Sequence, residues 1–189
     1  MNKLQAIIFT ILFCNLQGCI GGAIAGTSAA SNIIYDERSV ETMLHDQNIE
    51  HLAAESIKKQ KLLEKTNIST SSLNHNILIY GEVATPEERT LAYRTIKNIP
   101  KVNKVYNQLK VSKNISAIDT GKDSWITSKV RLALFKAKQL HSAQVRVITE
   151  NKTVYLMGIL TKNQQDIATN SAKSVDGVLK VVTLFETSK

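Results

Sequence analysis

One unit is written twice in this chain, and the repetition limits what it can fold into more than any other feature. Ile68, Leu73, Ile77, Ile79 and Gly81 are matched 77 positions later by Val145, Glu150, Val154, Leu156 and Gly158, and only Leu73 loses its apolar counterpart. Beyond the glycine the second copy is one residue shorter, so Ala92, Ile96, Val102 and Val105 match Ala168, Ala172, Val178 and Val181 at a spacing of 76. Each copy has fewer than 70 residues, close to the lower limit for a self-sufficient core, so the two are expected to pack on one another.

The local signals repeat as well. A first helical spacing is set by Ile49, Ala53 and Ile57 in copy one and by Ile126, Val130 and Leu134 in copy two. Two extended runs follow, joined by polar turns at 74–76 and 150–152. Gly81 and Gly158 are expected to end the second run, where the lack of a Cβ permits a bend or a close backbone approach. A second helix opens at Thr85, with Pro86 in the first turn and Glu88 three residues on, and again at Thr161 with Gln164. Ile99 with Pro100, and Asp176 with Gly177, stop that helix, and final strands cover 102–111 and 178–185. The order α-β-β-α-β predicts an α+β fold in which two amphipathic helices cover the apolar face of three strands. The modules are placed at 45–112 and 123–189, with a linker at 113–122.

The amino end carries a different message. Lys3 precedes an apolar stretch, residues 6–14, broken only by Thr10. A bilayer core needs about 20 apolar residues, so this run reads as the core of an export signal covering 1–18. Leu16, Gln17, Gly18 and Cys19 resemble the lipobox of bacterial lipoproteins; the alternative is an ordinary signal peptide with an incidental cysteine. The lipobox resemblance implies cleavage before Cys19 and acyl chains on its sulfur and new amino terminus. At about 0.8 kcal/mol per buried methylene, several chains together make a lasting anchor. Ile20 in place of Asp after the cysteine implies outer-membrane sorting by the enterobacterial convention. Residues 19–44 then form a tether, made of Gly, Ala, Ser and Thr with one Ile over 21–31 and closed by Asp36, Glu37, Arg38 and Ser39.

The strand and helix order, with a glycine after the second strand and Gly177-Val178 before the third, resembles the BON domain, a small periplasmic module; copy one departs with Pro100 and Lys101. Each module is then expected to hold a three-stranded mixed sheet covered by two helices. Together with the lipobox, residues 36–40 and the run from Trp125 to Arg131, the pattern is similar to the outer-membrane lipoproteins that carry two BON domains. That resemblance implies a periplasmic-facing, lipid-anchored protein that binds anionic phospholipid and maintains outer-membrane integrity, with enrichment at division sites.

The lipid contact can also be argued from residues. The formal charge is +8 and falls by one unit when Lys3 leaves with the signal, which favours polyanions. Export removes nucleic acid from the candidates. On the helix that starts the second copy, Val130, Ala133, Leu134 and Ala137 share the face of Ile126, while Trp125, Lys129, Leu132 and Lys136 share another, next to Ser128. Apolar groups between lysines suit an interfacial helix, with ammonium groups near phosphates. The competing reading is that Trp125 and Leu132 cover a contact between the modules or extend the core. In copy one the equivalent face holds Asn48, Leu52, Glu55 and Lys59, without an aromatic, so the second module is the expected membrane reader.

Catalysis, cofactors and small-molecule substrates find little support. His45, His51, His75 and His141 read as scattered surface histidines, and Cys14 and Cys19 leave no thiolate pair for a metal. Glu87 and Glu88 fall in a capped first turn, where acids complement the helix dipole. The cluster of Lys58, Lys59 and Lys61 reads as a solvated face, and Tyr93 and Tyr106 as core or interface residues. A second function class stays open, an adaptor whose modules bind an outer-membrane assembly machine or a peptidoglycan-associated partner.

Overall fold

The structure is a computed structural model that describes residues 36–112 and 120–188. The signal segment, Cys19, most of the tether and residues 113–119 of the linker lie outside the described residues. Each half has the expected order. The first half runs α1 (Val40–Lys58), a 3-10 turn at Lys61–Leu63, β1 (Asn67–Leu73), β2 (Asn76–Val83), α2 (Pro86–Lys97), β3 (Lys104–Asn107) and β4 (Lys110–Val111). The second runs α3 (Thr120–Lys136), a 3-10 turn at Ser142–Gln144, β5 (Arg146–Glu150), β6 (Thr153–Leu160), α4 (Lys162–Lys173) and β7 (Lys180–Thr187).

Two helices begin ahead of the module limits read from the sequence, and the last strand of copy two runs Lys180–Thr187 rather than 178–185. Helix α1 begins at Val40, inside the segment assigned to the tether, because Ser39 caps it by accepting a hydrogen bond from Thr42 N–H. Helix α3 begins at Thr120, inside the assigned linker. In both sheets the first two strands pair antiparallel and the last pairs parallel to the middle one, giving the mixed sheets β1-β2-β3 and β5-β6-β7. The last strand of copy one is split. β3 and β4 both pair with β2 in one register, and between them Asn107 turns its side-chain oxygen to the Leu109 N–H.

Gly81 and Gly158 lie within β2 and β6, not at their ends. A Cβ at Gly81, where φ is +110°, would sit 2.0 Å from the Asn67 carbonyl oxygen; at Gly158 it would sit 2.5 Å from that of Gln144. The glycines therefore let the edge of each module close on its middle strand. Thr85 accepts from Glu88 N–H and Thr161 from Gln164 N–H, as expected, but Glu88 returns its bond to Ala84 N–H while Gln164 returns it to Thr161 itself.

Alternation along the middle strands explains how the halves meet. Ile77 and Ile79 of β2 face Ile49, Ala53, Ala92 and Ile96, while Val154 and Leu156 of β6 face Ile126, Val130, Leu134, Ala168 and Ala172. The residues between them point the other way, and Leu73, Leu78, Tyr155, Met157 and Leu184 form a third buried cluster shared by both modules. The result is a helix–sheet–sheet–helix stack in which both faces of each sheet are covered, so β2 and β6 are buried almost continuously. Polar links join its rim: Arg146 to Glu50 at 2.6 Å, Asn151 to Glu82 at 3.0 Å, and Asn74 and Asn76 to Glu186.

Candidate membrane-facing surface

Helix α3 spends one side on the core of module 2, where Ile126, Val130 and Leu134 are almost fully buried and Ala137 packs against them. The opposite side is open. Trp125 is 67% exposed, Leu132 52% and Phe135 75%. At about 100° per residue, Phe135 and Ser128 fall beside Leu132 and Trp125, with Lys129 and Lys136 along one border and Arg131 along the other. The indole thus lies in solvent rather than in the shared cluster between the sheets.

The lysines differ. Lys136 is exposed, whereas Lys129 is half-buried and donates to the Asp176 carbonyl at 2.6 Å, at the loop that carries Gly177. Ser128 donates its hydroxyl to the Ser124 carbonyl and keeps its lone pairs. Two members of this surface escaped the sequence reading, Phe135 and Arg131. Phe135 ends the run Leu132-Ala133-Leu134-Phe135, in which a helical period is hard to see. The corresponding side of α1 is different in kind: Leu52 packs on the core, and Glu55 pairs with His51 and Lys59. Lys58 stands where module 2 has Phe135.

The first helix of each module carries a buried aspartate that sequence reasoning did not single out. Asp46 accepts from the Asn74 and His75 N–H groups, both at 2.8 Å, and Asp123 from those of Asn151 and Lys152 at 2.7 and 2.9 Å. All four turn residues have positive φ, the backbone of a type I′ hairpin, so each carboxylate holds a two-residue turn against its helix. Asp46 also accepts from Ser72 and from Arg38, which ties residues 36–38 to module 1. Arg38 hydrogen bonds hold the Asp36 carboxyl below its ordinary range, more than offsetting the upward effect of burial.

The histidines are not all scattered. His45 and His75 come together, His45 Nδ1 lying 3.3 Å from His75 Nε2, and the Lys101 ammonium lies 2.5 Å from His45 Nε2. Among the described residues no set of three His, Cys, Asp or Glu side chains is placed to hold a metal, and no helix is long and apolar enough to cross a membrane.

Comparison with known proteins decides the family. The BON domain matches residues 45–113 and again residues 122–189. This chain belongs to the BON-domain family. It is 30% identical over 187 residues, 98% of its length and 96% of the relative's, to outer membrane lipoprotein DolP of Haemophilus influenzae. It is also 30% identical over 148 residues, 78% of its length and 76% of the relative's, to a 21 kDa hemolysin of Actinobacillus pleuropneumoniae. The chain is therefore a dual BON-domain, DolP-like protein. Among solved structures, CdsD of the type III secretion system of Chlamydia trachomatis overlays 77% of this chain and 92% of its own with 13% identity and a TM-score of 0.31. An overlay that loose bears on neither fold nor function.

Proposed function

We propose that this BON protein is an outer-membrane lipoprotein, anchored through Cys19 on the periplasmic face, whose second module grips anionic phospholipid through α3 and so supports outer-membrane integrity. It acts by binding, not by catalysis. The observation that carries the reading is the exposed triad Trp125, Leu132 and Phe135 on one helix, bordered by Lys136, Lys129 and Arg131. Full burial of a Leu or Phe side chain contributes roughly 1.5–3 kcal/mol, and each cation near an anionic surface about 1 kcal/mol. Those sizes suit a second, reversible grip added to a lasting anchor. Since Lys129 is shared with the Asp176 carbonyl, Lys136 and Arg131 carry most of the headgroup attraction.

The test is co-sedimentation of residues 20–189 with vesicles. Binding is expected to require phosphatidylglycerol, to weaken with salt, and to fall about tenfold or more in Trp125→Glu. Equal binding by Trp125→Glu and parent would place the contact elsewhere. Stoichiometric capture of one envelope protein by Trp125→Glu, with no dependence on anionic lipid, would favour the adaptor function instead.

A further inference from the structure

Three side chains from separate elements meet on module 1: His45 on α1, His75 in the β1–β2 turn and Lys101 before β3. The two rings have centroids 5.5 Å apart and planes inclined at 41°. The Lys101 ammonium lies 2.5 Å from His45 Nε2 and 3.5 Å from its Nδ1, so it crowds one side of that ring. His45 Nδ1 and His75 Nε2 lie 3.3 Å apart, a gap that one shared proton spans in either tautomer. Two nitrogens bound at about 2.05 Å to one tetrahedral ion lie about 3.3 Å from each other.

We propose that His45 Nδ1 and His75 Nε2 form a two-imidazole site for a borderline divalent cation of the Zn²⁺ or Cu²⁺ type, with water in the remaining positions. A cation on His45 Nδ1 leaves the one proton of the neutral ring on Nε2. That Nε2–H faces Glu41, whose Oε1 lies 3.7 Å away one helical turn earlier, the usual arrangement of a carboxylate behind a metal-bound imidazole. Lys101, on an exposed side chain, has to swing aside, and its charge weakens binding until it does. The backbone of the site is fixed beforehand. Asp46, next to His45, holds the His75 N–H at 2.8 Å in a turn with φ of +63°. Module 2 has Lys122 and Lys152 at the equivalent positions, so the site belongs to module 1 alone.

The experiment titrates Zn²⁺, in competition with a chromophoric chelator, into the full chain in detergent, with Cys14→Ser and Cys19→Ser removing thiols. One zinc per chain is expected, bound more weakly as acid protonates the ligands. His45→Gln and His75→Asn each weaken it by about tenfold or more; Asn tolerates the left-handed turn. Lys101→Gln tightens it severalfold, and His51→Gln leaves it unchanged. Nitrogen-15 spectra of the parent report the same site without any substitution, with zinc shifting His45 and His75 and leaving His51 and His141 in place. Parent-like affinity in the His45→Gln, His75→Asn pair, no uptake by the parent at sub-millimolar zinc, or equal shifts at all four histidines would each overturn the proposal.

Discussion

Asp46 accepts hydrogen bonds from Arg38, Ser72 and two turn amides while only 1% exposed. Removing it leaves three donors without partners and takes one of two carboxylates from Arg38, which keeps Asp36, so Asp46→Ala is expected to lower stability by about 3–5 kcal/mol in urea unfolding. Asp123, with its two turn amides, should cost less, about 1–3 kcal/mol. Both were in plain view 77 positions apart, yet a hydrophobic pattern treats an aspartate on an amphipathic helix as surface. Only the pairing of the two copies singles them out. Glu150 is the opposite case, since it stands where copy one has the interface residue Leu73. It is buried with Oε1 unpartnered, and burial, then the nearby Asp123 and Glu82 carboxylates, push its pKa up. The same charge and burial hold the Tyr155 phenol at about 12. A carboxyl whose folded pKa lies above its unfolded one binds more protons when folded, so stability falls as pH rises through that window. Glu150→Gln should therefore raise the melting temperature at neutral pH, with the gain shrinking as the pH falls through the raised folded value and gone once it is below the ordinary glutamate range.

Helix α3 shows how far a period can be read and where it fails. The core face of Ile126, Val130 and Leu134 and the position of Trp125 were legible, because three or four residues separate like from like. Phe135 was overlooked because it adjoins a buried leucine in sequence, although the same 100° spacing puts it on the far side. Spacing could not reveal that Lys129 is partly engaged, since its partner is a backbone carbonyl 47 residues away. Phe135→Glu is expected to weaken binding to phosphatidylglycerol vesicles about as much as Trp125→Glu does. Its effect on the urea midpoint should be small, within about 0.5 kcal/mol, because the ring is 75% exposed and supports no core.

The whole molecule depends on two sheets lying back to back. That they would pack followed from module size, and of Tyr93 and Tyr106, read as core or interface residues, Tyr106 joins the shared cluster, together with Tyr80 and Tyr155, which the sequence reading did not name. The faces they would use did not follow, because β2 and β6 are apolar on both sides and a pattern without alternation names no inner face. Leu78→Ala and Met157→Ala, one from each module, are each expected to cost about 2–5 kcal/mol. Combined, they should depart from additivity, since both line one cluster. Thermal unfolding followed at both modules would show one transition in the parent. The back-to-back arrangement also governs what happens when the halves are made as separate polypeptides. Each would emerge with a sticky palm where its twin belongs, leucine and tyrosine on the first half and tyrosine, methionine and leucine on the second, and the two, mixed in a tube, should clasp and rebuild the whole.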